Sequence, residues 1–350
     1  MRGEKNMNIN WERYSRQMRF AGIGQEGQRR LLESCALVVG CGALGSVAAN
    51  ILVRAGVGKV RIVDRDFLEL NNLQRQVLYD EQDVASGLPK AVCAAQKLRQ
   101  INHDVEVEPV VADLNANNIQ QLLDGVHVIV DGTDNFETRF LINDASLRYK
   151  IPWVYGGCLG SEGQTLTILP GDSACLRCLM PEPPPPGVAG TCDTAGILGP
   201  IVQVIAAWEA MEAIKILLGQ WERINRDLIV IDVWDNQIRR IPLKEVFTGF
   251  EQCACHGADF PWLEGRSGTQ TAVLCGRNAV QLSFPGTEPV RLEELAQRLS
   301  SFGKVSVNRF LLKLELEKHT LTVFRDGRTI VSGTDDVAEA RSLHARYIGN

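Results

Sequence analysis

The segment VVGCGALGSVAAN, residues 38–50, closes an apolar run with Gly40-Cys41-Gly42-Ala43-Leu44-Gly45 and continues into a string of small residues. A G-x-G-x-x-G spacing between a strand and a helix brings bare backbone N–H groups close to a phosphate. Any nucleotide meets that requirement, a dinucleotide as well as ATP. The loop alone therefore does not name its ligand, and the flanking sequence has to.

Upstream, residues 11–33 form a charged, amphipathic lead-in, and ALVVG feeds the loop as a strand. Downstream, SVAANILVRAG predicts a helix and KVRIVDRD a second strand ending in two aspartates. KAVCAAQKLRQIN has apolar positions near a 3.6 period, VEVEPVVADL reads as a third strand, NIQQLLDG as a helix and VHVIVDGTDN as a fourth strand. Strands alternating with helices over 150 residues imply a parallel sheet, with ligands at the carboxyl ends of its strands. From IPWVYGG onward strands dominate. The long apolar helix ILGPIVQVIAAWEAMEAIKILLG interrupts them, and DLIVIDVWDNQIRRIPL turns at Asp235-Asn236 as a hairpin would. Between Met180 and Gly196, four consecutive prolines and several glycines predict an irregular crossing loop that carries Cys192. The expected fold is α/β: a Rossmann-like, doubly wound, mostly parallel sheet extended by antiparallel strands, with a small α+β C-terminal domain. The boundary is drawn at 264/265.

The 350 residues are 45% hydrophobic and 23% charged, enough to bury a proper core. A net charge of −5 argues against a general nucleic-acid or membrane-surface binder. No apolar stretch reaches membrane-spanning length and the N-terminus lacks an apolar signal core, so a cytoplasmic protein is expected. The ten cysteines are not spaced like a secreted disulfide framework; Cys175/Cys178 and Cys253/Cys255 point to metal or thiol chemistry instead.

Asp64, at the end of the second strand, suits a ribose hydroxyl in either NAD or ATP. The segments beyond it depart from a dehydrogenase. Asn71-Asn72-Leu73-Gln74-Arg75-Gln76 supplies a guanidinium and amides, Lys90 opens a helix after Gly87-Leu88-Pro89, and Asp134 and Asn135 end the fourth strand. Arg75 and Lys90 would offset phosphate charge, Arg75 bidentately. Asp134 would be a carboxylate for Mg²⁺, which binds through one or two carboxylates plus substrate phosphates; its alternative is to cap the helix FETRFLINDASLRYK. Gly40, Gly42, Gly45, Asp64, Asn72, Arg75, Lys90, Asp134 and Asn135 thus form the expected ATP-binding set.

The chain from Arg13 to Cys255 resembles the MoeB/ThiF family, bacterial relatives of ubiquitin-activating enzymes, in RYSRQ, GCGALG, NNLQRQ, LPKA, GTDN, CLRC and CDTAGILGP ahead of AMEAIKILLG. That resemblance implies ATP-dependent adenylylation of the terminal Gly-Gly carboxylate of a ubiquitin-like sulfur carrier, of the kind used in molybdopterin or thiamine synthesis. Sulfur then comes from a sulfurtransferase or cysteine desulfurase. It further implies a homodimer in which Arg16 reaches the partner subunit's ATP, phosphate contacts from Arg75 and Lys90, magnesium on Asp134, and a covalent link to the carrier at Cys192 in some members. A carboxylate attacking the α-phosphorus needs positioning and charge compensation, not a general base, because the carboxylate is already ionised at neutral pH. Adenylation of another carboxylate, on a modified tRNA base or a peptide, is the alternative.

In that family the CLRC knuckle pairs with a second C-x-x-C around a structural Zn²⁺, closed by four ligands. This sequence instead has Cys253-Ala254-Cys255-His256. The expected ligands are Cys175, Cys178, Cys253 and Cys255, with His256 as the alternative fourth. The last 86 residues carry Cys275-Gly276-Arg277-Asn278, yet they are short for a rhodanese domain and Cys275 does not precede a helix. A small α+β module is the better expectation, with a β-turn at Asp326-Gly327.

Overall fold

A computed structural model describes residues 10–184, 195–244, 246, 259–267, 271–274, 278–283 and 290–348. Cys192, Cys253, Cys255, His256 and Cys275 lie outside the described residues. The described chain falls into two compact units that meet in sequence between Arg266 and Ser267.

In the first unit, helices α1 (Trp11–Met18) and α2 (Gly24–Leu32) lead into β1 (Cys35–Val39), and α3 (Ala43–Ala55) and β2 (Lys59–Val63) come after it. Next are α4 (Glu81–Ser86), α5 (Lys90–Ile101), β3 (Glu106–Val110), α6 (Ile119–Leu122), β4 (Val128–Asp131) and α7 (Phe136–Tyr149). The unit continues with β5 (Trp153–Leu159), β6 (Glu162–Ile168), α8 (Leu176–Leu179), α9 (Gly199–Leu217), β7 (Leu228–Asp232) and β8 (Gln237–Ile241). Eight strands form one sheet in the order β3-β2-β1-β4-β5-β6-β7-β8. The first five run parallel, and β6, β7 and β8 extend the sheet antiparallel.

Every residue of β1 is buried, as expected of a central parallel strand covered by helices on both faces. The small residues of α3 give close packing: Ala48 and Ala49 are fully buried, and α9 lies against this helix and against β4, β5 and β6. Gly56 ends α3 at φ +80°, its N–H returning to the Leu52 and Val53 carbonyls. A side chain there would also strike the Tyr14 ring. The β7–β8 hairpin turns at Asn236, whose φ is +56°.

The second unit comprises β9 (Thr271–Leu274), β10 (Ala279–Leu282), α10 (Leu292–Leu299), β11 (Lys304–Val307), β12 (Leu311–Glu315), β13 (Thr320–Phe324), β14 (Thr329–Ser332) and α11 (Val337–Tyr347). Its strands form a wholly antiparallel sheet, β11-β12-β13-β14-β10-β9. Helix α10 packs on β11 and β12 and α11 on β10 and β14, around Val280, Leu312, Leu314, Leu321, Val323 and Val331. Strand β11 is not among the elements that the sequence pattern predicts. Among the described residues no helix is long and apolar enough to cross a membrane.

Candidate active site

Strand order across the sheet reverses between β1 and β4, and in open α/β sheets a ligand crevice forms at that point, beyond the carboxyl ends of the strands. Here the loops after β1 and β4 touch. A Cβ on Gly40 (φ +82°) would stand 2.5 Å from the Gly132 carbonyl oxygen, and one on Gly45 would stand 1.9 Å from that of Gly40. Glycine is therefore obligatory at both positions. Gly42 differs: its nearest neighbour is the Gln76 Nε2 at 3.7 Å, so its outer side is open. Helix α3 starts at Ala43 with no side chain capping it and no acidic residue in its first turn. Its first N–H groups and the positive end of its dipole are thus available to an anion.

Asp64 sits directly behind this loop. One carboxylate oxygen accepts the Cys41 N–H at 2.6 Å and the other the Asp66 N–H at 2.6 Å. Burial lifts its carboxyl above the usual range, with Lys90 pulling the other way. Lys90, almost entirely buried at the start of α5, has its ammonium 3.6 Å from Asp66. Arg65 pairs with Asp113 at 2.8 Å. Burial opposes the Arg65 charge, but Asp113, Asp66 and Asp134 outweigh it and raise its pKa. The crevice therefore holds interleaved charges of both signs, as a polyanion with a metal ion requires.

Asp134 is exposed on the loop after β4. It does not cap α7. That role falls to Asn135, whose side-chain oxygen accepts the Thr138 N–H at 2.9 Å, because the helix begins one residue later than the capping alternative for Asp134 required. A buried ion pair holds this loop. Arg139 Nε donates to Asp131 at 3.2 Å, and its Nη2 donates to the Thr133 and Gly156 carbonyls at 2.9 and 3.0 Å. Thr133 donates both its N–H and its hydroxyl to Asp131. Asn72 is buried, accepting the Glu69 N–H and donating to Asn71. Arg75 Nη1 donates to the Asn71 carbonyl, and a Cβ on Gly199, at the start of α9, would stand 3.8 Å from the Arg75 Cα.

Arg16 lies elsewhere. Helix α1 is anchored by Tyr14, whose hydroxyl accepts from Asn102, and by Gln17, which donates to the Ala55 carbonyl. These partners end α5 and α3, at the amino edge of the sheet. At 1.5 Å per residue, the thirteen residues of α3 put Ala55 roughly 18 Å from the glycine loop. Arg16 is exposed there. Cys175 caps the start of α8 and Cys178 lies within it, with their sulfurs 3.5 Å apart. A tetrahedral zinc thiolate site has S–S edges of roughly 3.8 Å for Zn–S bonds near 2.3 Å. Asn143 of α7 accepts the Leu176 N–H, and Asp144 accepts from Arg177 and from the Trp262 N–H, tying the knuckle to residues 259–263. Among the described residues no three metal-ligating side chains converge.

Sequence reasoning passed over several groups in the crevice. Gln76 is buried beside Gly42, and its Oε1 has no hydrogen-bond partner among the described residues. Its place in the NNLQRQ run was the available signal. Asp66, three residues past the end of β2, stood in plain view in KVRIVDRD, whereas Arg65–Asp113 and Asp131–Arg139 are pairs that only the folded chain creates. Cys41, inside the loop, is no nucleophile: burial pushes its thiol up to about 12.

This architecture is shared with solved structures, among them Escherichia coli MccB with ATP, at 23% identity and a TM-score of 0.56, covering 67% of this chain and 71% of that one. The sulfur carrier protein ThiS adenylyltransferase of Bacillus subtilis is 44% identical over 339 residues, spanning 96% of this chain and 99% of that protein. The SAMP-activating enzyme E1 of Haloferax volcanii is 42% identical over 233 residues, 67% of this chain and 85% of that one. A family model, described as the ThiF family, matches residues 14–254, the span that holds the glycine loop, the charged crevice and the cysteine knuckle. The chain belongs to the ThiF family.

Proposed function

We propose that this protein adenylylates the C-terminal glycine carboxylate of a ubiquitin-like sulfur-carrier protein with ATP, releasing pyrophosphate. One observation carries the reading: an uncapped helix N-terminus and open glycine loop at the sheet's switch point, ringed by Lys90, Arg65, Asp66 and Asp134, in a chain that resembles a ThiS adenylyltransferase along its whole length. The 44% relative favours a ThiS-type carrier over other carboxylates; the MccB likeness speaks to fold alone.

The carrier's terminal carboxylate attacks the α-phosphorus, a carboxyl-oxygen–phosphorus bond forms as the bond to the pyrophosphate oxygen breaks, and no proton moves. The loop and α3 N–H groups hold phosphate oxygens, Asp64 takes the ribose hydroxyls, and Arg75 and Lys90 offset the charge that anion meeting anion accumulates. Asp134, exposed on the loop whose Thr133 carbonyl Arg139 holds, would carry Mg²⁺, which would supply charge neutralisation. Arg16, exposed and anchored at the opposite edge of the sheet, suits an arginine given to a partner subunit's site in a homodimer. Cys175 and Cys178, whose sulfur spacing fits a thiolate tetrahedron, would share a structural Zn²⁺ with Cys253 and either Cys255 or His256. The acyl-adenylate is consumed by a sulfur donor such as a sulfurtransferase or cysteine desulfurase, with Cys192 as a site of covalent transfer after adenylation.

Carrier-dependent ATP–pyrophosphate exchange tests this. Asp134→Ala should lower exchange by at least about 100-fold, while Cys192→Ala should leave it intact. Equal loss in both variants would refute this division of roles.

A further inference from the structure

A chain of hydrogen bonds runs beneath the crevice, and its two ends meet at one hydroxyl. The Tyr79 hydroxyl donates to the Cys41 carbonyl at 2.7 Å, and the Cys41 N–H donates to Asp64 at 2.6 Å. Asp64 also accepts the Asp66 N–H, and the Asp66 carbonyl accepts the Lys90 N–H at 2.9 Å. The Lys90 carbonyl then lies 3.4 Å from the same Tyr79 hydroxyl, the weaker arm of a bifurcated donation whose single proton goes mainly to Cys41. Four segments meet here: the glycine loop, the end of β2, the start of α5, and the stretch after NNLQRQ. Tyr79, Cys41, Asp64 and Lys90 are all buried, so no bulk water substitutes for a missing link.

We infer that Tyr79 is a positioning residue for ATP: its hydroxyl locks the glycine loop to the start of α5, fixing the loop N–H groups and the Lys90 ammonium at one spacing before the triphosphate arrives. The inference rests on the proposed ATP site and adds to it a residue that touches no substrate. Its aromatic ring belongs to the core cluster around Leu68 and Leu78, where phenylalanine would serve equally. The hydroxyl is what sets the spacing. Burial raises the Tyr79 pKa well above its ordinary value, so the donor keeps its proton throughout the working pH range.

Tyr79→Phe isolates that hydroxyl. In the full-length protein, calorimetry should give an ATP dissociation constant about tenfold weaker than wild type, since a preorganised site loses affinity when its ordering is deferred to binding. In carrier-dependent exchange the KM for ATP should rise by the same factor, with kcat changed less than about twofold. Hydrogen exchange should quicken in peptides covering residues 38–47 and 88–95 and stay unchanged in α7 and α9. Unchanged ATP affinity in the variant, or exchange quickened evenly along the chain with a lowered melting temperature, overturns the assignment in favour of simple core packing. A wild-type protein that binds ATP but shows no carrier-dependent exchange counts against the adenylyltransferase reading alone, because the binding and hydrogen-exchange arms still decide the role of Tyr79.

Discussion

A methyl group at Gly45 would overlap the Gly40 carbonyl oxygen, and backbone on both sides leaves neither atom anywhere to go. Gly45→Ala should therefore destabilise the fold by about 1–3 kcal/mol through overpacking, read as a lower urea midpoint, and should weaken ATP binding in whatever folds. A variant as stable as wild type would contradict the close helix–strand approach at this loop. Glycine spacing was legible in the sequence because a missing side chain is itself the signal. Asp64 and Lys90 were legible by position, one directly after β2 and the other opening α5, and Asp134 by its place in the loop between β4 and α7. Tyr79 and Arg139 were not legible. What gives them a role is the neighbour they meet: a buried carbonyl, a carboxylate eight residues away.

Helix α9 was visible as a long apolar run, yet it conceals a charge problem at its centre. Glu209 is fully buried against Gly156, and neither carboxyl oxygen has a hydrogen-bond partner among the described residues. Burial, then nearby Asp131, lifts its pKa well above 4.5, while Arg139 opposes this weakly. The folded state thus keeps a proton that the unfolded state releases, so stability falls as pH rises from the unfolded pKa towards the folded one. The slope is about 1.4 kcal/mol per pH unit. Glu209→Gln should remove that loss. Its stability advantage over wild type should grow by at least about 1 kcal/mol between pH ~5 and ~8 in urea titrations; a pH-independent difference would contradict the buried neutral carboxyl. Other elements declared themselves by period or run, and the β7–β8 hairpin by its Asp-Asn turn. Strand β11 did not, because KVSV, although it alternates, is only four residues long and largely exposed.

At the scale of the molecule there are two units, each built on its own sheet, and the crevice belongs to the first. Relatives such as the Haloferax volcanii enzyme match 233 residues of this chain. A chain ending at Arg266 should keep carrier-dependent exchange within about threefold of full length, provided the second unit only assists; loss of exchange from a folded truncation would place part of the reaction in residues beyond Ser267. Alternating strands and helices made the doubly wound sheet readable, since each parallel crossover needs a helix. The order of the eight strands, and with it the contact between Gly40 and Gly132, was not written in any one segment.

The central claim is that a protein's terminal carboxylate attacks the α-phosphorus of ATP in the crevice between β1 and β4. It is tested most directly by isotope transfer from a Gly-Gly carrier labelled with ¹⁸O in its terminal carboxylate, incubated with the enzyme, ATP and magnesium, followed by thiolysis. The account predicts one ¹⁸O atom in the AMP and none in the pyrophosphate. Label in pyrophosphate or phosphate, or AMP formed without label, would contradict it.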